Sequence, residues 1–422
     1  MPDQNAYAIL GLHKGCSDED IKEAYVKLVK QFDPEKHTDR FIVIQTAYEN
    51  LRNAAKRAAE DVLVFNNIKG RFLFTPEEQE QRSEAELSQR VNEADKAYAD
   101  EPTSETQSQL VGALMNRSYH KVKRRLWAEA IDDWRRILDM EPSNQRAKNN
   151  LLYSYITLGY SYANHGLYDE ALELWGKALK MNPEEDDLIH NMAIASEMAG
   201  KKEAAKDYWA RVIRSWEAQL EDDPDDDYLR NLIIEVRRHR GQTLDESGPK
   251  SIEEYKEILK IKPSDFEAQY KIATAQMEEQ DFEEATKTLH KMMRDYPKNI
   301  EVLNLLGWAY LNSGRVEEAF QIWNRSLAMD PKNHSTRENI IKGRMAMGRA
   351  FRSRGMHTQS LVHFKALLRF SPNSPEVNFE IGQTYLLKGD KRSAAKAMRR
   401  VLELDPKNRE ARHALSEMKL RA

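Results

Sequence analysis

The sequence predicts an all-α chain in which a small helical unit precedes a long solenoid of stacked helix pairs. Three observations predict it. Apolar residues recur at helical spacing. Glycine, alanine, tryptophan and proline return together with a period of about 34 residues. A chain of 422 residues is too long for one compact core.

The clearest unit runs from Leu303 to Pro331. Leu303, Leu306 and Tyr310 share one stripe of a first helix, and Gly307, with no Cβ, lets a second helix approach. Ala319 is small where the two helices cross, Trp323 fills the space below it, Ser326 follows, and Pro331 ends the second helix. This spacing resembles the tetratricopeptide repeat, a helix–turn–helix unit. Pro263, Pro297 and Pro331 are 34 apart, as are Pro372 and Pro406. Good copies carry Tyr155, Gly159, Ala171 and Trp175, or Gly382, Tyr385, Ala394 and Met398. Weaker ones surround Trp134, Trp209, Ala285 and Phe364, and the poorest holds Ser251 and Tyr255. The expectation is about eight units, with Trp134, Trp175, Trp209 and Trp323 as core filling. Pro142 to Pro183, Pro183 to Pro224 and Pro331 to Pro372 are each 41 apart, which predicts helices about two turns longer there.

Residues 1–60 form a separate unit. Gly11 stops a short helix containing Tyr7 and Leu10; Ser17 caps a second with the stripe Ile21, Ala24, Tyr25, Leu28 and Phe32. A third, from about Thr38 to Leu51, buries Phe41, Ile44, Tyr48 and Leu51. Tyr7-Ala8-Ile9-Leu10-Gly11-Leu12, Ile21-Lys22-Glu23-Ala24-Tyr25 and Ala47-Tyr48-Glu49 resemble the J domain of DnaJ-type co-chaperones. The resemblance implies a His-Pro-Asp motif in the loop after the second helix, where this chain has Asp33-Pro34-Glu35. It also implies a positive second-helix face, here Lys22, Lys27 and Lys30, diluted by Glu19 and Glu23.

Residues 61–104 connect the two parts. The runs Val62–Phe65 and Phe72–Phe74 suggest either a small hairpin or apolar clamps packed on the J-like unit. Thr75, Pro76 and Glu78 read as the start of an acidic helix reaching about Tyr98, and Glu101-Pro102-Thr103-Ser104 as a flexible joint. The solenoid then occupies 105–422, closed by a capping helix from Glu410 to Met418.

A net charge of −4 gives no push toward nucleic acid or an anionic membrane. One cysteine, Cys16, fits a reducing compartment, and with no leader and no long apolar run the expectation is a cytoplasmic protein without membrane insertion. No phosphate loop, zinc-protease or nucleophile-elbow motif is present, so no enzyme is predicted. Cys16 reads as a surface thiol, His357 and His363 lack a third ligand, and the acidic run 222–227 lacks a calcium-loop pattern, so no cofactor or metal is expected.

The functional expectation is a protein-binding groove on the first helices. By the family's repeat positions it includes Asn304, Trp308 and Asn312, then Lys342, Arg349 and Arg352, a surface suited to an acidic or extended peptide. The Asn and Lys set with which some family members clamp a chaperone's C-terminal carboxylates is incomplete here. The chain is therefore read as a co-chaperone-like adaptor whose J-like unit does not stimulate a DnaK-type ATPase. Its alternatives are an active co-chaperone that delivers bound clients to a DnaK-type chaperone, or an enzyme.

Overall fold

The computed structural model describes residues 5–32, 35, 37–68, 70–243 and 249–420. They form helices joined by turns, with no strand among them. The chain divides into two compact units, residues 1–239 and 240–422.

The first unit opens with α1 (Ala6–Leu10), α2 (Asp18–Gln31), α3 (Thr38–Arg52) and α4 (Ala54–Asp61). Gly11 takes the left-handed conformation that ends α1, and Ser17 and Asp20 form the capping box that starts α2. Tyr7, Leu10, Ile21, Ile44, Ala47 and Leu51 make a small core of their own. The basic-rich stretch at Lys56 and Arg57 is a separate helix, because Asn53 breaks α3 and caps α4.

Next comes α5 (Glu84–Asp100), followed by α6 (Ser104–Lys123), α7 (Trp127–Met140), α8 (Gln145–Asn164), α9 (Tyr168–Met181), α10 (Asp186–Met198) and α11 (Lys202–Asp222). The division between units falls within α12 (Asp227–Thr243). The second unit holds α13 (Pro249–Ile261), α14 (Phe266–Glu278), α15 (Phe282–Asp295), α16 (Ile300–Asn312) and α17 (Val316–Met329). It continues with α18 (His334–Ser353), α19 (His357–Leu367), α20 (Pro375–Leu387), α21 (Lys391–Leu404) and α22 (Arg409–Leu420). From α6 to α21 the described helices make eight consecutive pairs, and α22 packs on α21 as the predicted cap.

One steric rule recurs through the pairs. A Cβ added to Gly159 would lie 2.5 Å from Trp175, and one on Gly307 would lie 2.2 Å from Trp323. Gly348 stands in the same way against Phe364, and Gly382 against Met398. In each case the large residue lies sixteen positions on, so a missing side chain on the first helix makes room for a ring or thioether on the second. The irregular middle unit keeps the device with a shorter spacing, Gly241 facing Tyr255. Trp134, Trp175, Trp209 and Trp323 are all buried, as core filling requires. The extra residues between prolines lie in long helices: α8 and α18 have 20 residues and α11 has 21, against 13 in α10 and α16.

The connecting segment departs from expectation. The described residues of 62–74 form no hairpin: Leu63 and Val64 stay beside the J-like unit, where Lys14 holds the Val64 carbonyl, while Phe65, Ile68 and Phe74 pack as irregular chain on the repeats. Thr75 and Glu78 do make the reciprocal capping contacts, but only a single turn follows. The Glu78 carboxylate is held by Arg146 and the carbonyls of Glu78 and Glu80 by Asn116, which keeps them from continuing a helix. The helix starts instead at Ser83, whose capping box closes on Glu86. The stretch 101–104 is no open joint: Thr103 caps α6, and α5 packs on α6 across the turn.

Candidate functional site

Two features of the first unit carry chemistry: the line of side chains along 62–80, and the attachment of the J-like unit to the repeats. Asn191, buried on α10, accepts from the Asn66 N–H at 2.6 Å and donates to the Asn66 carbonyl at 2.8 Å. Asn150, buried on α8, accepts from the Leu73 N–H at 2.7 Å and donates to its carbonyl at 3.0 Å. Asn116 on α6 donates to the Glu78 carbonyl at 2.6 Å. A primary amide suits this work because it presents one acceptor and two donors in a plane, matching both polar groups of an extended residue. Asn149 adds a bond to the Arg71 carbonyl at 2.7 Å.

Aromatic contacts lie between these amides. Phe74 packs on Trp134 with ring centres 5.7 Å apart, Phe72 stacks on Trp127 at 5.7 Å, and Phe65 meets Trp175 at 5.8 Å. Gly70 passes so close to Tyr153 that a Cβ would lie 2.3 Å from the base of that ring.

The J-like unit is fastened by buried polar groups. Tyr7 and Tyr228, from α1 and α12, both donate to the same oxygen of buried Asp61. Burial, and then the Asp61 charge, push both phenol pKa values up, so both hydroxyls stay protonated donors. Arg57 donates to the Tyr7 hydroxyl and the Cys16 carbonyl, pairs with Asp18 and lies over the Tyr228 ring. Lys14 donates to the carbonyls of Asp61 and Val64; burial pulls its pKa down to about 8, against the pull of Asp61 and Asp187. His190 is fully buried, and burial followed by the Lys14 charge hold it well below the usual imidazole range. Its Nδ1 faces N–H donors on Asn66 and Lys14, so its Nε2 carries the proton given to the Val62 carbonyl at 3.0 Å.

The predicted site residues are placed as follows. Lys22, Lys27 and Lys30 are exposed on α2. Asp33 and Pro34 lie outside the described residues, and Glu35 sits in an exposed turn. Asn304 is buried: its side chain accepts from Thr336 and its carbonyl from Trp323. Trp308 is half-buried with its ring edge against Trp323, and Asn312 is exposed. Lys342 pairs with Glu338 of its own helix. Arg349 and Arg352 both bind buried Glu380 on α20, and Arg349 also reaches Glu376. The expected arginine surface is thus largely neutralised from the next repeat. Burial raises the Cys16 thiol pKa, opposing thiolate formation, and lowers that of His363, which stacks on Phe351. No group of three or more His, Cys, Asp or Glu is arranged for a metal among the described residues.

The expected groove positions passed over Asn116, Asn150 and Asn191. A signal was present. They lie 34 and 41 residues apart, the two intervals that recur between prolines along the chain.

Comparison with known proteins agrees with these two parts. The DnaJ domain family matches residues 5–61, and tetratricopeptide-repeat families match 153–185, 277–336 and 375–408. The chain therefore carries an N-terminal DnaJ domain followed by tetratricopeptide repeats. It is 45% identical over 69 residues to the chaperone protein DnaJ of Rickettsia massiliae, covering 15% of this chain and 18% of that protein. It is 47% identical over 60 residues to DnaJ homolog subfamily B member 12 of Bos taurus, covering 13% and 16%. The similarity spans less than a fifth of either relative's length. Among solved structures, MamA is 20% identical, with a TM-score of 0.32, over 42% of this chain and 91% of that one. YrrB, described as a TPR protein with an unusual peptide-binding site, is 18% identical, with a TM-score of 0.31, over 47% and 96%. No helix among the described residues is long and apolar enough to cross a membrane.

Proposed function

We propose that this protein is a non-catalytic, co-chaperone-like adaptor that holds partner proteins or peptides on the first-helix face of its repeats, in the cytoplasm and without nucleic acid. The observation that carries this reading is the pairing of Asn150 and Asn191 with both polar groups of an extended residue. In the second unit, exposed Asn312 and Lys342 offer a partner contact of their own.

The J-like unit, on this reading, docks weakly on a DnaK-type chaperone and does not trigger it. At the histidine position Asp33 is an acceptor-only anion, and at the aspartate position Glu35 displaces the charge by a methylene. The exposed lysines of α2 leave a face for docking, screened at physiological salt.

The test is single-turnover ATPase with a cognate DnaK-type chaperone and the full chain, because Tyr7 and Tyr228, sharing Asp61, tie the J-like unit to the repeats. The expected result is no stimulation, with activity appearing in the Asp33→His, Glu35→Asp double variant. Stimulation by the unaltered chain would make it an active co-chaperone delivering bound clients. For the groove, Asn312→Ala with Lys342→Glu is expected to weaken affinity capture of partners at unchanged helix content; unchanged capture would move partner binding off this face of the second unit.

A further inference from the structure

The described residues of 62–80 are gripped as a bound peptide is gripped. The amides of three successive first helices reach main-chain groups at Asn66, Leu73 and Glu78, so the clamps fall seven and then five residues apart. The chain runs against the order of the repeats, since Asn66 meets the third pair and Glu80 the first. Main-chain clamps do not depend on the side chain they hold, so another extended segment can satisfy Asn150 and Asn191 equally well. Attachment of the J-like unit has its own device in Asp61, Tyr7 and Tyr228 and does not need them.

We propose that the first-helix face of the first three repeats is a binding site for an extended partner segment, and that residues 62–80 are its intramolecular occupant. The partner segment displaces them. It carries aromatic residues where Phe65, Phe72 and Phe74 sit, and a carboxylate where Glu78 meets Arg146 at 2.7 Å. This rests on the adaptor reading above and names the ligand class for the first unit. A tethered occupant competes at an effective concentration of about millimolar, so the site discriminates against weak segments.

Gly70 supplies the handle. Its close approach to the base of the Tyr153 ring leaves no room for a side chain, so Gly70→Leu should lift the occupant while the repeats stay folded. The probe is a fluorescein-labelled synthetic peptide of residues 62–80, titrated by anisotropy against full-length protein. Gly70→Leu is expected to bind it at least about tenfold more tightly than the unaltered chain. Adding Asn150→Ala and Asn191→Ala should abolish that gain. A peptide N-methylated at Asn66 and Leu73 should fail to bind, because Asn191 and Asn150 accept from those N–H groups. Should Gly70→Leu lose helix content, Phe65→Ala with Phe74→Ala serves as the opening variant.

Three results would overturn the proposal. An opened, folded variant that ignores the peptide makes residues 62–80 permanent core. Equal binding of the N-methylated peptide makes the attraction side-chain adhesion. Dimerisation of the opened variant, blocked by added peptide, assigns the site to a second copy. Failure here with capture still sensitive to Asn312→Ala and Lys342→Glu removes only this inference; the reverse pattern removes only the second-unit groove.

Discussion

The same helical position does different work in the two units. The sixth residue of α8 and of α10 is an asparagine, Asn150 and Asn191, and each holds a stretch of chain that crosses it. The sixth residues of α16, α18 and α20 are Leu305, Asn339 and Glu380. Glu380 draws in Arg349 and Arg352 from the preceding repeat, each at 2.5 Å. An amide can donate and accept at once, so it suits a peptide group; a carboxylate only accepts, so when buried it requires cations. Asn191 and Glu380, each eighteen residues before the large core residue of its pair, show the contrast directly: one grips a crossing segment, the other the preceding repeat.

Three perturbations would break or sharpen this contrast. The largest effect is expected from Arg352→Glu, because it removes a partner from buried Glu380 and adds a like charge beside it. Breaking a buried pair costs about 3–5 kcal/mol, so thermal unfolding of the second unit should drop by many degrees. Arg349→Glu, at a half-exposed side chain, should cost well under that, on the order of 1 kcal/mol. Equal and small shifts from both would mean that Glu380 is not held from the preceding repeat.

The repeat device itself should be indifferent to the unit. Gly159→Leu forces atoms into Trp175, and Gly307→Leu forces them into Trp323. Overpacking of this kind costs about 1–3 kcal/mol. Calorimetry should show each variant lowering the transition of its own unit. An unshifted melt for either would dissolve the glycine–tryptophan pairing as a stabilising rule.

The smallest effect is a pH dependence confined to the first unit. Lys14 has its folded pKa pulled down to about 8 by burial, while the unfolded chain keeps an ordinary lysine value near roughly 10.4. Below about pH 8 the group is charged in both states and its burial penalty is fully present. As pH rises from about 8 toward 10 the folded form releases the proton first, so folding gains. The stability of the unaltered chain relative to Lys14→Met should therefore rise across that window. The comparison is needed because Cys16, Tyr7 and Tyr228, all with raised pKa values, lower folded stability as their unfolded counterparts ionise above about pH 9. A flat difference would mean that Lys14 is solvated.

Much of the fold could be read in advance because it is local. Gly307 and Trp323, or Gly382 and Met398, are sixteen residues apart in one helical hairpin, so spacing alone reports their contact. The two sites were harder. Arg349 and Arg352 looked like free groove charges because their partner Glu380 stands in another repeat. Thr75 and Glu78 looked like a helix start because the capping contacts are genuine; what stops the helix is Arg146, 68 residues from Glu78.

By itself the sequence determined the helices, their phase, the glycine-for-ring exchanges and the two kinds of module, since each depends on residues within a few turns of one another. Tertiary structure alone decided what the polar groups do. Asn66 and Asn191 are 125 positions apart, and Asp61 and Tyr228 are 167 apart. A hydrogen bond acts only over about 3 Å, so the partner of a buried amide or carboxylate is set by whichever chain the packed helices bring within that reach.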